Sequence, residues 1–247
     1  MTIEESDVRL AARLATEAGE LLLALQKNGD LEGKALGAEG DRIANGFLCR
    51  SLRDLRPDDA LLSEEEKDDA ARLTARRVWI VDPLDGTREY GEGRADWAVH
   101  VALAIDGVAT VGAVALPGLD VTLSSGASIK LARPNKPLRM VVSRTRPAAE
   151  AVEVAELIGA ELVPMGSAGA KAMAVVRGEA DIYLHTGGQH EWDNCAPVAV
   201  AEAAGLHVSR VDGAPMRYNN ADTSLPDLLI CRPELAEIAL KAVAARG

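Results

Sequence analysis

Two carboxylates and a hydroxyl fall within six residues of this chain, Asp82-Pro83-Leu84-Asp85-Gly86-Thr87. They follow an apolar run, Val78-Trp79-Ile80-Val81, that reads as a strand. Pro83 is expected to stop that strand, and Gly86 permits a tight turn. Such a turn would deliver both carboxylates to one place beside the Thr87 hydroxyl. Oxygen donors so arranged suit a hard divalent cation. With a phosphate nearby, the chemistry would be metal-assisted cleavage of a phosphoryl ester. Two more acidic points stand at the ends of apolar elements: Glu64, after Ala60-Leu61-Leu62-Ser63, and Asp193, in Glu191-Trp192-Asp193. Two Mg²⁺ ions held about 3.5–4 Å apart need three or four acids from separate segments. These residues supply them.

The elements that must position these groups can be read from periodicity. Residues 7–27 carry a helical pattern through Val8, Leu10, Ala11, Leu14, Ala18, Leu21, Leu22 and Leu25. A loop rich in Gly and charge is expected over 28–40, with Asp41 as the N-cap of a helix to about residue 53. Strands are expected at 97–105, 108–116 and 121–123, the first two joined by a hairpin at Asp106-Gly107. The pattern breaks at Arg133-Pro134-Asn135-Lys136-Pro137. We place a boundary there, between an N-terminal α+β metal-binding half, 1–133, and a C-terminal α/β half, 138–247, that completes the site. Beyond the break, strands at 138–143, 161–164 and 180–184 alternate with helices at 149–158, 168–176 and 195–204. That order suggests a layered α/β arrangement.

Composition narrows the function classes. The 247 residues carry a formal charge of −11, which argues against binding nucleic acid through a basic surface. An acidic protein that handles an anionic substrate must neutralise its site locally, and bound cations do this. With one Phe, three Trp and three Tyr, Ala, Val and Leu must fill the core. Cys49, Cys195 and Cys231 are odd in number and lack CxxC spacing, and no HExxH occurs, so neither a disulfide framework nor a zinc site is expected. Ser63 and Cys195 read as packing residues rather than nucleophiles. The acidic N-terminus lacks the basic start and apolar core of a signal peptide, and no apolar stretch would span a bilayer. A cytoplasmic protein without membrane partners is expected.

Glu64, the hexapeptide and Trp192-Asp193-Asn194-Cys195-Ala196-Pro197 together resemble the signature set of the inositol monophosphatase superfamily, in order and spacing and over nearly the whole chain. Gly166-Ser167, Lys171, Gly178, Ala180-Asp181 and Tyr183 resemble a further motif of that family. Lys171 and the chain length look most similar to the CysQ branch, the 3′(2′),5′-bisphosphate nucleotidases. The resemblance implies an α/β (α+β) fold, a layered αβαβα sandwich of the inositol monophosphatase and sugar phosphatase type. It implies two or three Mg²⁺ ions and sensitivity to lithium. Glu64, Asp82 and the Leu84 carbonyl would hold the first ion, and Asp82, Asp85 and Asp193 the second. Glu64 would also face a weaker third. Thr87 with Asp41 would orient and deprotonate the attacking water. Asp85, Gly86 and Thr87 would meet the phosphate, the last two through main-chain N–H groups.

The substrate implied is a phosphorylated small molecule, 3′-phosphoadenosine 5′-phosphate, cleaved to AMP in support of sulfate assimilation. The alternative is an inositol-1-phosphate or fructose-1,6-bisphosphate phosphatase. Choice among them would fall to Arg88, Arg144, Ser167, Lys171 and His185. Three departures from the family pattern stand out: Gly40 rather than Thr before Asp41, Arg88-Glu89-Tyr90 after Thr87, and His185 where several nucleotidases place Arg. A non-catalytic relative would lack a metal ligand or the Thr87 hydroxyl, and none is missing. Relatives of this kind include monomers and homodimers.

Overall fold

The computed structural model describes residues 5–245. Two five-stranded sheets are stacked with helices outside and between them. The first sheet has the order β1 (Ala60–Ser63), β2 (Arg77–Asp85), β3 (Ala98–Ile105), β4 (Val108–Leu116) and β5 (Val121–Ser124). Its β1–β2 pair is parallel and the rest antiparallel. The second sheet combines β6 (Arg139–Ser143), β7 (Glu161–Met165), β8 (Ile182–His190), β9 (His207–Ser209) and β10 (Ser224–Cys231), in the order β7-β6-β8-β10-β9.

Alternation along the strands decides what each face meets. Trp79, Val81, Val99, Val101 and Leu103 point to one side and pack on α1 (Asp7–Asn28) and α2 (Gly33–Leu55). Val78, Ile80, Ala98, Ala102 and Val114 point to the other, against α5 (Ala168–Val176) and α6 (Glu191–Ala203). The second sheet covers the far side of α5 and α6. Its outer face packs on α4 (Ala149–Ile158) and α7 (Pro233–Ala244). The layers therefore run helix, sheet, helix, sheet, helix, the αβαβα sandwich expected. Among the described residues no helix is long and apolar enough to cross a membrane.

Three sequence expectations change, each for a local reason. The loop expected over 28–40 ends early, because α2 begins at Gly33. Asp41 therefore lies inside α2 and is not its N-cap. Two of the glycines that read as loop formers, Gly37 and Gly40, are close-approach positions. A Cβ at Gly37 would stand 2.6 Å from Thr87 Cγ2, and one at Gly40 would stand 3.0 Å from Leu84 Cδ2 and Tyr90 Cε1. Nor does β2 stop at Pro83: it runs on to Asp85, with a register shift against β3 between Asp82 and Asp85. Proline has no N–H for a ladder, and here the ladder is interrupted. Finally, β8 extends to His190 and α6 starts at Glu191, four residues ahead of expectation, so Asp193 lies in its first turn.

Gly112 of β4 lets α6 approach: a Cβ there would meet Ala196 O at 2.5 Å and Ala199 Cβ at 2.8 Å. Gly112→Ala should lower stability by about 1–3 kcal/mol, the usual cost of overpacking. Urea unfolding measures it, and an unchanged midpoint would contradict the tight α6–β4 contact.

Candidate active site

Four carboxyl groups converge where β1, β2 and α6 meet. Asp82 continues the β2 row of Val78 and Ile80 that faces α6 and is 1% exposed. Its Oδ1 accepts the Leu84 N–H at 3.0 Å, which holds the bulge. Asp85 reaches the start of α5, accepting the N–H groups of Ala168 at 3.2 Å and Gly169 at 2.6 Å. Asp193 turns back in the first turn of α6 and accepts the His190 N–H at 2.5 Å. One ligand oxygen from each of Asp82, Asp85 and Asp193 lies within 4.8 Å of the others. Glu64 follows β1, its N–H bonded to Val81 O at 3.3 Å, and its carboxyl shares a hydrogen bond with Asp82.

Crowding of like charge shows in the acidities. Burial, then Glu64, Asp85 and Asp193, push the Asp82 carboxyl well above its ordinary value. Glu64 opens to solvent on one side, yet surrounding protein and then Asp193, Asp85 and Glu65 raise it to about 7 against the pull of Asp82. Asp193 is raised by burial and by Asp85. Asp85 is the exception. Burial would raise it, but His100, the Gly169 N–H and Lys171 hold it below the usual range. An all-oxygen donor set that repels itself fits a hard divalent cation and no soft one.

Beside this cluster, Thr87 opens the single-turn helix α3 (Thr87–Gly91) behind Gly86, whose φ of 89° is left-handed. The Thr87 hydroxyl donates to Leu84 O at 3.1 Å. It also lies against Asp41, whose carboxyl it draws downward while burial and Glu65 raise it to about 7. Asp41 Oδ1 is buried with no hydrogen-bond partner. A polar atom left so has capacity for a water.

Asp85 and Asp193 of the acidic cluster line a cleft of about 530 Å³ together with Gly86 and the basic side chains Arg88, Arg144, Arg146, Lys171 and His185. Asp41 and Thr87 line a second hollow that shares Arg88. Arg88 is exposed at the rim. Arg144 is already committed, to Glu89 at 2.6 Å and Glu92 at 2.6 Å. Ser167 caps α5, accepting the Ala170 N–H at 2.9 Å. Lys171 is buried on the floor, bonded to the carbonyls of Gly166 and Ser167. Burial lowers its pKa, opposed by Asp85, Glu89 and Asp193. His185 donates to Gly188 O at 3.2 Å, and burial with Lys171 nearby lowers its pKa. All five expected specificity residues thus line one cleft, though Arg144 and Lys171 spend donors on the protein itself. Ser63 and Cys195 are buried, as packing residues should be.

The sequence reading passed over His100, which is fully buried against Asp85 and the Trp192 carbonyl. The available signal was an imidazole on the inward face of an otherwise Ala- and Val-rich strand. It also passed over the buried chain of hydrogen bonds from Tyr183 through Gln189 and Asn194 to Tyr218, which ties the cleft floor to α6.

The profile of the inositol monophosphatase family matches residues 4–245, and the chain belongs to that family. It is a phosphatase, and the likeness to the CysQ branch holds. A relative from Mycobacterium leprae named 3′-phosphoadenosine 5′-phosphate phosphatase is 50% identical, covering 97% of this chain and 94% of that protein. The Escherichia coli K12 protein named 3′(2′),5′-bisphosphate nucleotidase CysQ is 31% identical, covering 86% of this chain and 94% of its own. Among solved structures, CysQ from Bacteroides thetaiotaomicron superposes with a TM-score of 0.78 at 26% identity, covering 90% of this chain and 96% of that one.

Asp41 generates a stability prediction. The folded protein keeps this carboxyl protonated up to about 7, whereas the unfolded chain releases the proton near its ordinary 3.8. The group therefore weakens the fold progressively as pH rises from about 4 to 7 and by a constant amount above. In chelator, Asp41→Asn should melt higher than the parent at pH 8 and alike at pH 3, while losing most activity in Mg²⁺. A variant less stable at pH 8 would contradict the desolvation argument.

Proposed function

We propose that the protein is a Mg²⁺-dependent phosphomonoesterase that removes the 3′-phosphate of 3′-phosphoadenosine 5′-phosphate. One observation carries the reading. A cleft lined by Asp85 and Asp193 of the acidic cluster is lined also by cationic side chains, and the Asp41–Thr87 pair lines a hollow that shares Arg88 with it. A substrate with two phosphates needs both kinds of group, acids that hold cations for the reacting ester and basic side chains for the phosphate that stays. The 50% identical relative named for that substrate points the same way.

Asp82, Asp85, Asp193 and Glu64, with the Leu84 carbonyl, would hold the cations. When bound, Mg²⁺ neutralises the phosphoryl charge, lowers the pKa of the attacking water and stabilises the leaving oxygen. Thr87 orients that water, and Asp41 takes its proton. A carboxyl near 7 is well placed for this, since a general base works best close to the operating pH. The Gly86 and Thr87 N–H groups meet the phosphoryl oxygens. Arg88, Arg146 and His185 face the second phosphate, with Lys171 beneath and Arg144 holding the wall. Both halves contribute, 1–133 the water, most ligands and Arg88, 138–247 Asp193 and the other basic side chains. Three buried free cysteines suit the reducing cytoplasm, where this by-product of sulfate assimilation would arise.

The test is kcat/KM for 3′-phosphoadenosine 5′-phosphate, inositol-1-phosphate and fructose-1,6-bisphosphate, with Mg²⁺ and with chelator. The bisphosphate nucleotide should lead by at least tenfold, and no substrate should turn over in chelator. Equal values for the three would refute the substrate assignment. Asp82→Asn should abolish turnover while leaving the fold intact by circular dichroism, and near-parent turnover would sink the shared-ligand role of Asp82.

A further inference from the structure

On its inward face β3 presents Ala98, Ala102 and Ala104, small residues that let α5 and α6 close in. His100 interrupts that row and is completely buried. Such a residue loses hydration and must be repaid by contacts. It lies opposite Asp82 in the β2–β3 register, so the two side chains share a face. Its Nε2 is 3.2 Å from Asp85 Oδ2, an ion-pair distance without the angle of a good hydrogen bond. Its Nδ1 lies 3.0 Å from the carbonyl of Trp192, the residue before Asp193. Both partners are acceptors, so the ring can serve each only as a donor. Space is reserved for it: a Cβ on Gly169 would come within 2.1 Å of Nε2.

We infer that His100 is a positioning residue, tying the Asp85 carboxylate to the Trp192–Asp193 turn so that Asp82, Asp85 and Asp193 keep the spacing a divalent cation needs. The inference rests on the metal reading above. His100 is walled off from the cleft and touches no substrate. Asp85 belongs to the first sheet and Asp193 to a helix between sheets, and this ring bridges the two. Without it, Asp85 keeps the Ala168 and Gly169 N–H groups. The Asp193 turn would lose its direct link to Asp85.

The experiment titrates Mn²⁺ into the full-length, metal-stripped protein and reads bound ion by electron paramagnetic resonance. His100→Phe should weaken Mn²⁺ by about 10–100-fold, the usual effect of losing a residue that orients a ligand. The KM for the phosphoester at saturating Mg²⁺ should hardly move. His100→Gln, which returns an N–H towards Asp85, should recover most of the lost affinity. A folded His100→Phe that binds Mn²⁺ like the parent overturns the proposal. So does a folded His100→Gln no better than His100→Phe, since the effect would then be packing alone. Should His100→Phe not fold, Gly169→Ala displaces the ring from the other side, and unchanged Mn²⁺ affinity there is equally decisive. A parent protein that binds no Mn²⁺ overturns the metal reading, and the role of His100 with it.

Discussion

Mutual repulsion among Glu64, Asp82, Asp85 and Asp193 is the constraint around which this molecule is arranged. Three of these oxygens are held within 4.8 Å of one another, and Asp82 is all but inaccessible to water. Such a group costs stability unless something offsets it. The fold offsets it in part: the Leu84 N–H on Asp82, the start of α5 and His100 on Asp85, the His190 N–H on Asp193. The remainder is what a cation would supply. A site that is poor for stability is therefore suited to binding.

The layered architecture follows from having to aim these groups from distant segments. Glu64 and the two aspartates of the hexapeptide come from the first sheet. Asp193 comes from α6, packed between the sheets by the close approach at Gly112. Behind the site, Asp68 and Asn219 grip the buried Arg72 guanidinium, while the Asn219 and Asn220 N–H groups bind Glu191 at the start of α6. The segment carrying Glu64 and the turn carrying Asp193 are thus braced through a third loop. On the water side, Gly37 and Gly40 bring α2 against Thr87 and Leu84, which sets Asp41 beside the hydroxyl it would serve.

Much of this was legible in the sequence, for identifiable reasons. The strands around 78–81 and 97–116 announce themselves by apolar runs and by the Asp106-Gly107 turn, whose residues both adopt positive φ. The hexapeptide, Glu64 and Asp193 could be singled out because carboxylates at strand ends are chemically conspicuous. What misled were residues whose usual local meaning was overridden by tertiary contact. Gly37 and Gly40 signalled a loop, but glycine is what fits between α2 and its neighbours there. Pro83 signalled a strand end, but a bulge absorbed it. Arg144 looked free to meet a phosphate, and its partners Glu89 and Glu92 are far from it in sequence. His100 was silent because its partners, Asp85 and the Trp192 carbonyl, lie on two other segments, and no spacing rule brings them together.

The claim that carries the account is that Asp82, Asp85 and Asp193 enclose a divalent cation. Anomalous diffraction from crystals soaked in Mn²⁺ tests it most directly. The account predicts a strong peak in contact with all three carboxylates and a second beside Glu64 and the Leu84 carbonyl. Crystals with no peak between those three side chains, at a Mn²⁺ concentration that supports phosphate release, would contradict it.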